Sequence, residues 1–181
     1  MSQRVPKLGA VRDNEKVSAP ANAVVIRKAK AADLRAALNC LDAAFEPYRD
    51  GYTRDAYLDT VLTAETISAR MATMQIFVAE SSDQIVGTIA CAMQDADEGH
   101  LRGMAVLPEW LGCGVAEELL NVAEAELNQR GCLRITLDTT EPLQRAMRFY
   151  EKHGYRRSGR VTDFFGMPLY EYVKVVTRSS P

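Results

Sequence analysis

The stretch from His100 to Leu120 constrains this chain more than any other. A strand-like run leads through Pro108 into a short loop carrying Gly112 and Gly114, and a helical run follows. Glycine lets backbone approach a ligand closely and adopt conformations that a β-carbon forbids. The first turn of the following helix leaves N–H groups without intrahelical partners, all aimed back at the loop. Such a helix start is a ready site for an anion, above all a phosphate. A lone Gly-x-Gly is more often an ordinary tight connection, so the rest of the chain has to decide.

The 181 residues are enough for one domain with a sizeable core. A 47% hydrophobic and 25% charged composition is that of a globular protein, and a net charge of -2 gives no electrostatic reason to expect nucleic acid or a membrane surface. No apolar run approaches a membrane span and no signal-peptide core stands at the start, so a cytoplasmic protein is the expectation. Cys40, Cys91, Cys113 and Cys132 are scattered without a C-x-x-C pair, so neither a disulfide framework nor a metal site is expected.

Residues 1–22 read as a disordered extension, and residues 23–178 as the folded domain. Val24 to Ala29 predicts a strand. Leu34, Leu38, Leu41 and Phe45 predict a helix that Pro47 ends, and Thr53 is placed to cap a second. The stretch from Thr63 to Met74 is expected to be helical in part. Strands follow over Gln75–Glu80, Ile85–Met93 and His100–Val106. The helix after Gly114 carries the stripe Val115, Leu119, Val122, Ala123 and Leu127. Then come a strand to Asp138, a helix over Glu141–His153 with Pro142 in its first turn, and a closing hairpin. The expected class is mixed α/β (α+β) in the order β-α-α-β-β-β-α-β-α-β-β, with a central, mostly antiparallel sheet flanked by helices.

Two motifs in that order resemble the GNAT superfamily of N-acetyltransferases. One is Met104-Ala-Val-Leu-Pro-Glu-Trp-Leu-Gly-Cys-Gly-Val-Ala116; the other runs from Ala146 through Phe149-Tyr150 to Gly154-Tyr155. The resemblance covers essentially Val24 to Thr177. It implies acetyl-CoA as cosubstrate and direct transfer to an amine in a ternary complex. Met104, Ala105 and Val106 would pair with the pantetheine arm. The loop and helix start from Leu111 through Gly112, Cys113, Gly114, Val115, Ala116 and Glu117 would hold the pyrophosphate. Leu111 and Leu143 depart from the family's pattern, which prefers Arg or Gln and Asn there.

The same resemblance gives Tyr150 the role of the acid that protonates the departing thiolate; the alternative is an aromatic core residue. For the base, His100 stands near where family members often carry Glu, and its ordinary pKa suits the task. A strand histidine without a role is the alternative, and Glu98 is the second candidate. Tyr48, Tyr52, Asp163 and Phe164 are the expected acceptor lining. The acceptor is read as a small primary amine or amino-acid-like compound, with a protein N-terminus or lysine second. A homodimer is left open. A non-catalytic acyl-CoA sensor would explain Leu111 and Leu143. An NAD-binding oxidoreductase would use Gly112, Gly114 and Asp138, but Glu117 occupies its third glycine position.

Overall fold

The computed structural model describes residues 23–176, so the extension expected over residues 1–22 lies outside the described residues. Strand β1 (Val25–Lys28) leads to three helices, α1 (Leu34–Phe45), α2 (Arg54–Val61) and α3 (Ala64–Thr73). Strands β2 (Gln75–Ser81), β3 (Gln84–Met93) and β4 (Glu98–Val106) precede α4 (Val115–Gln129). Strand β5 (Arg134–Thr140), helix α5 (Gln144–Lys152) and the hairpin β6 (Arg156–Phe164) and β7 (Met167–Val175) complete the chain. The sheet has seven strands in the order β1-β2-β3-β4-β5-β7-β6. Among the described residues only β4 and β5 pair in parallel; every other neighbouring pair is antiparallel.

This is the expected mixed fold with two corrections. Thr63 accepts a hydrogen bond from the Thr66 N–H, and that N-cap starts α3 as a helix in its own right, so three helices separate β1 from β2. Pro142 is not in the first turn of α5: it lies in a turn closed by Leu143 N–H to Thr140 C=O at 3.0 Å, and the helix starts at Gln144. Thr53 caps α2 as expected, accepting from the Ala56 N–H.

Period-two alternation along the strands divides the core. Ile76 and Val78 of β2 face α1 and α3, with Ala37, Ile67 and Ala90. Phe77 and Ala79 face the other way, toward Leu119, Ala123 and Leu127 of α4. The middle of the sheet is therefore covered on both faces, and it is opened where neighbouring strands part.

They part between β4 and β5. Their pairing starts at Glu98 and Arg134 and ends at Leu101 and Leu137. Beyond that point β4 stays with β3 up to Val106, while β5 stays with β7 up to Thr140. The divergence begins at a bulge: Thr88 pairs with Ala105 but Ala90 with Arg102, so β4 carries one extra residue, and Gly103 there has φ +63°. A bulge bends its strand and increases the local twist, which carries the end of β4 away from β5.

Candidate active site

The wedge between β4 and β5 opens into a cleft of about 630 Å³, a volume in the range of small-molecule sites. Its walls come from β4, β5, the loop before α4, one face of α5, and residues of α1 to α3.

One half of the cleft is built from backbone. Leu107 N–H bonds Val86 C=O at 2.9 Å, and Ala105 and Val106 face Thr88 and Gly87. Antiparallel alternation then directs the main-chain groups of Val106, and of Met104 before it, away from β3 and into the wedge. Ala105 points its own toward β3. An extended amide chain laid in the wedge would find donors and acceptors at the edge of β4.

The loop continues this edge. Gly112 has φ +85° and Gly114 φ +86°, a region in which a side chain is strained. The loop spends two N–H groups on itself, Leu111 to Pro108 C=O at 3.2 Å and Cys113 to Trp110 C=O at 3.3 Å. Glu118 N–H makes a helical bond to Gly114 C=O at 3.1 Å. The N–H groups of Val115, Ala116 and Glu117 therefore precede the helix ladder. Together with those of Gly112 and Gly114 they form a concave set of donors at the positive end of the α4 dipole. Leu111, 43% exposed, and Cys113, half-buried, are loop residues whose N–H groups are already committed.

Helix α5 and its N-cap residue present Leu143, Ala146 and Tyr150 to the cleft, three and four residues apart. Tyr150 is 8% exposed and packs edge-on against Phe149 and Tyr155. Its hydroxyl donates to Met104 Sδ at 3.6 Å, a weak acceptor on β4. Burial raises its pKa, so the phenol keeps its proton at neutral pH.

The other half of the cleft is built from side chains. His100 Nδ1 is 3.0 Å from Thr136 Oγ1, and Nε2 is 3.8 Å from Asp138 Oδ2. Burial pulls the His100 pKa below its ordinary value against the opposing charge of Asp138, whose own pKa burial raises. The imidazole is therefore neutral near pH 7 and able to accept a proton. Arg102 of β4 bridges to Asp59 of α2 at 2.6 Å, and Arg70 of α3 lies beside them. Tyr52 hydrogen-bonds Thr140 Oγ1 at 2.5 Å, with burial raising its pKa.

The expected residues divide accordingly. Tyr150, His100, Tyr48, Tyr52, Phe164 and the loop glycines all line the cleft. Glu98 and Asp163 do not. Glu98 lies at the paired end of β4, bridged to Arg134 at 3.4 Å, where the wedge has not yet opened. Asp163 turns into its own hairpin and accepts from Gly166 N–H at 3.3 Å. The cleft is also lined by Arg70, Arg102, Asp59 and Thr60, which no sequence motif marks, and by Asp138, which the sequence offers only as a ribose contact. Among the described residues no group of three or more His, Cys, Asp or Glu is placed to hold a metal ion. No described helix is long and apolar enough to cross a membrane.

The cleft thus combines a split parallel pair, a backbone donor set at a helix start and a buried phenol facing both. The acetyltransferase (GNAT) family model matches residues 37–155, which contain β4, the loop, α4 and Tyr150. The chain belongs to the GNAT acetyltransferase family. Its chemistry is transfer of an acetyl group from acetyl-CoA to an amine.

Relatives agree in sequence and in fold. N-alpha-acetyltransferase 30 of Schizosaccharomyces pombe is 32% identical over 104 residues, covering 54% of this chain and 69% of the relative. The PaiA N-acetyltransferase of Thermoplasma acidophilum, solved in complex with coenzyme A, superposes with TM-score 0.72 at 18% identity, covering 85% of this chain and 99% of that one. The ribosomal-protein-S18-alanine N-acetyltransferase of Escherichia coli gives TM-score 0.70 at 16% identity, covering 87% and 97%. The two structural likenesses carry the fold alone.

Proposed function

We propose that this GNAT enzyme acetylates a small primary amine or amino-acid-like metabolite by direct attack in a ternary complex. The observation that carries this reading is how the acceptor end of the cleft is closed. Thr53, between the first two helices, donates through Oγ1 to Phe165 C=O at the tip of the β6–β7 hairpin, at 2.9 Å. Tyr52 beside it bonds Thr140 at the end of β5. The connection after α1 is thus pinned to the hairpin and to the sheet, and a pinned wall at that end favours a small acceptor over an extended peptide.

Acetyl-CoA supplies an activated thioester and a thiolate leaving group. The donors of Gly112, Gly114, Val115, Ala116 and Glu117 receive its pyrophosphate, and Met104 and Val106 pair with its amide arm. A main-chain N–H at the β4 bulge polarises the thioester oxygen. His100, neutral and oriented by Thr136 and Asp138, takes the proton from the attacking amine, directly or through one water. Tyr150 gives its proton to the departing sulfur. Burial keeps the phenol protonated at neutral pH, so the proton is present on Tyr150 when the sulfur departs.

One observation favours a second reading. The Schizosaccharomyces pombe relative is an N-alpha-acetyltransferase, which directs attention to a protein N-terminus. Thiol-release assays with acetyl-CoA against matched panels separate the two. Small amines and amino acids are expected to exceed short peptides with free N-termini by about 10-fold or more in kcat/KM, the scale of one interaction of 1.4 kcal/mol. Preference for the peptides overturns the small-acceptor reading.

A further inference from the structure

The acceptor bay holds a cation for which transfer chemistry has no use. Arg70 lies in the last turn of α3, and its guanidinium rests on the β4 bulge: a β-carbon added at Gly103 would stand 2.8 Å from Nη1. The side chain is half-buried and lines the cleft. Burial, reinforced by the charge of Arg102, pushes its pKa down to about 10, which leaves it protonated at neutral pH. Asp59 is the nearby counter-charge, but it is already bonded to Arg102 at 2.6 Å. Two guanidinium groups therefore share one carboxylate. The Arg70 carbonyl closes the end of α3, accepting from Met74 N–H at 2.8 Å and Thr73 Oγ1 at 3.3 Å, but among the described residues none makes a hydrogen bond or ion pair with its guanidinium.

A half-desolvated guanidinium without a partner costs free energy, and a fold retains one most economically where a ligand completes it. The planar fork of Arg matches a carboxylate in two parallel hydrogen bonds. Its position also fits. Gly103 is three residues along β4 from His100, on the stretch where the strand leaves β5 and the cleft opens.

We propose that Arg70 receives a carboxylate of the acceptor, which makes the acceptor an amino acid or a related amino carboxylate. Its amine faces His100 and its carboxylate lies over the Gly103 bulge. Arg102, held by Asp59, adds positive potential to the same bay. This assignment rests on the small-acceptor reading above and narrows it to one chemical class.

The test compares a panel of amino acids with the matching carboxamides, using the full chain at saturating acetyl-CoA. A charge-assisted hydrogen-bonded pair predicts that the acid exceeds its amide by about 10- to 100-fold in kcat/KM. In Arg70→Met, which keeps the length of the side chain and removes the charge, that ratio falls to near unity while turnover of the amides is held within a few-fold. Parity of acid and amide in the unsubstituted enzyme overturns the proposal, as does an Arg70→Met variant that loses both activities alike. Calorimetry without turnover adds an independent arm, with N-acetyl amino acids and their amides titrated into CoA-saturated protein. If the panel is not turned over but the acids bind through Arg70, the small-acceptor reading fails and the anion site stands. If the acids bind no better than the amides, or bind equally to Arg70→Met, the anion site fails whatever the turnover.

Discussion

The two halves of the cleft are made of different material. From Met104 to Glu117 the wall consists of main-chain donors and acceptors on one continuous stretch, with glycine where φ reaches +85° and +86°. Across the bulge, the wall consists of charged and aromatic side chains from separate elements: Asp59 on α2, Arg70 on α3, His100 and Arg102 on β4, Asp138 on β5. Backbone recognition tolerates substitution. Leu111 replaces a family Arg or Gln at the rim, and the donor set beneath it is intact because none of those donors belongs to a side chain. Recognition by side chains is exacting, since each group depends on an element fixed elsewhere in the chain. A cosubstrate shared across a family suits the first kind of wall, and an acceptor particular to one enzyme suits the second.

The largest effect is expected where the two halves meet. Tyr150→Phe removes one oxygen, the one that donates to Met104 Sδ at 3.6 Å. If that hydroxyl protonates the leaving thiolate, kcat falls by about 1000-fold, within the usual span for acid–base groups, with affinity for acetyl-CoA unchanged. Stopped-flow thiol release with CoA binding measured in parallel checks this. An active Tyr150→Phe enzyme would return Tyr150 to the aromatic core formed with Phe149 and Tyr155. His100→Ala tests the side-chain half, with a loss of about 100-fold in kcat/KM near neutrality. The deficit should shrink at alkaline pH, where the amine sheds its proton unaided. A uniform deficit at all pH values would make His100 a packing residue.

Gly114→Val tests the backbone half. A β-branched side chain at φ +86° is strained and forces the helix start to shift. Where the free protein relaxes that strain of about 2 kcal/mol and binding must restore it, the acetyl-CoA complex is roughly 30-fold weaker. Isothermal titration should show that loss with kcat at saturation largely kept. Unaltered affinity would mean that the donor set does not hold the pyrophosphate.

The same contrast explains what was legible in the sequence. The glycine loop, the α4 stripe and the Leu143-Ala146-Tyr150 face are local patterns, each contained within a few turns of chain, and all appear where the sequence puts them. The side-chain wall is set by register. His100 meets Thr136 and Asp138 because β4 and β5 pair in parallel with His100 opposite Thr136, a register with no local sequence signature. Arg70 reaches Gly103 because α3 is a separate helix, whereas the residues from Thr63 onward have only a weak apolar period. Glu98 and Asp163 look eligible by type and approximate position. What keeps them out of the cleft lining is where strands part and how a hairpin closes, both tertiary facts. Cys113 shows the finer limit: it sits inside the loop motif, yet its N–H is spent on Trp110.

The smallest effect has a definite sign. His100 lies below its ordinary value of 6.5 because burial disfavours the imidazolium, while Asp138, Glu98 and Glu171 raise it and Arg102 lowers it. A base must be deprotonated, so kcat/KM should rise with pH along an acid limb centred below 6.5. Asp138→Asn keeps the shape of the side chain and removes the strongest group that favours the protonated ring. The imidazole then loses its proton at still lower pH, and the acid limb moves down, not up. If Asp138 were instead the base itself, Asp138→Asn would abolish the limb along with most of the activity. A pH–rate profile of the variant therefore separates an orienting carboxylate from a catalytic one, and with it decides whether the side-chain wall acts through one residue or through a pair.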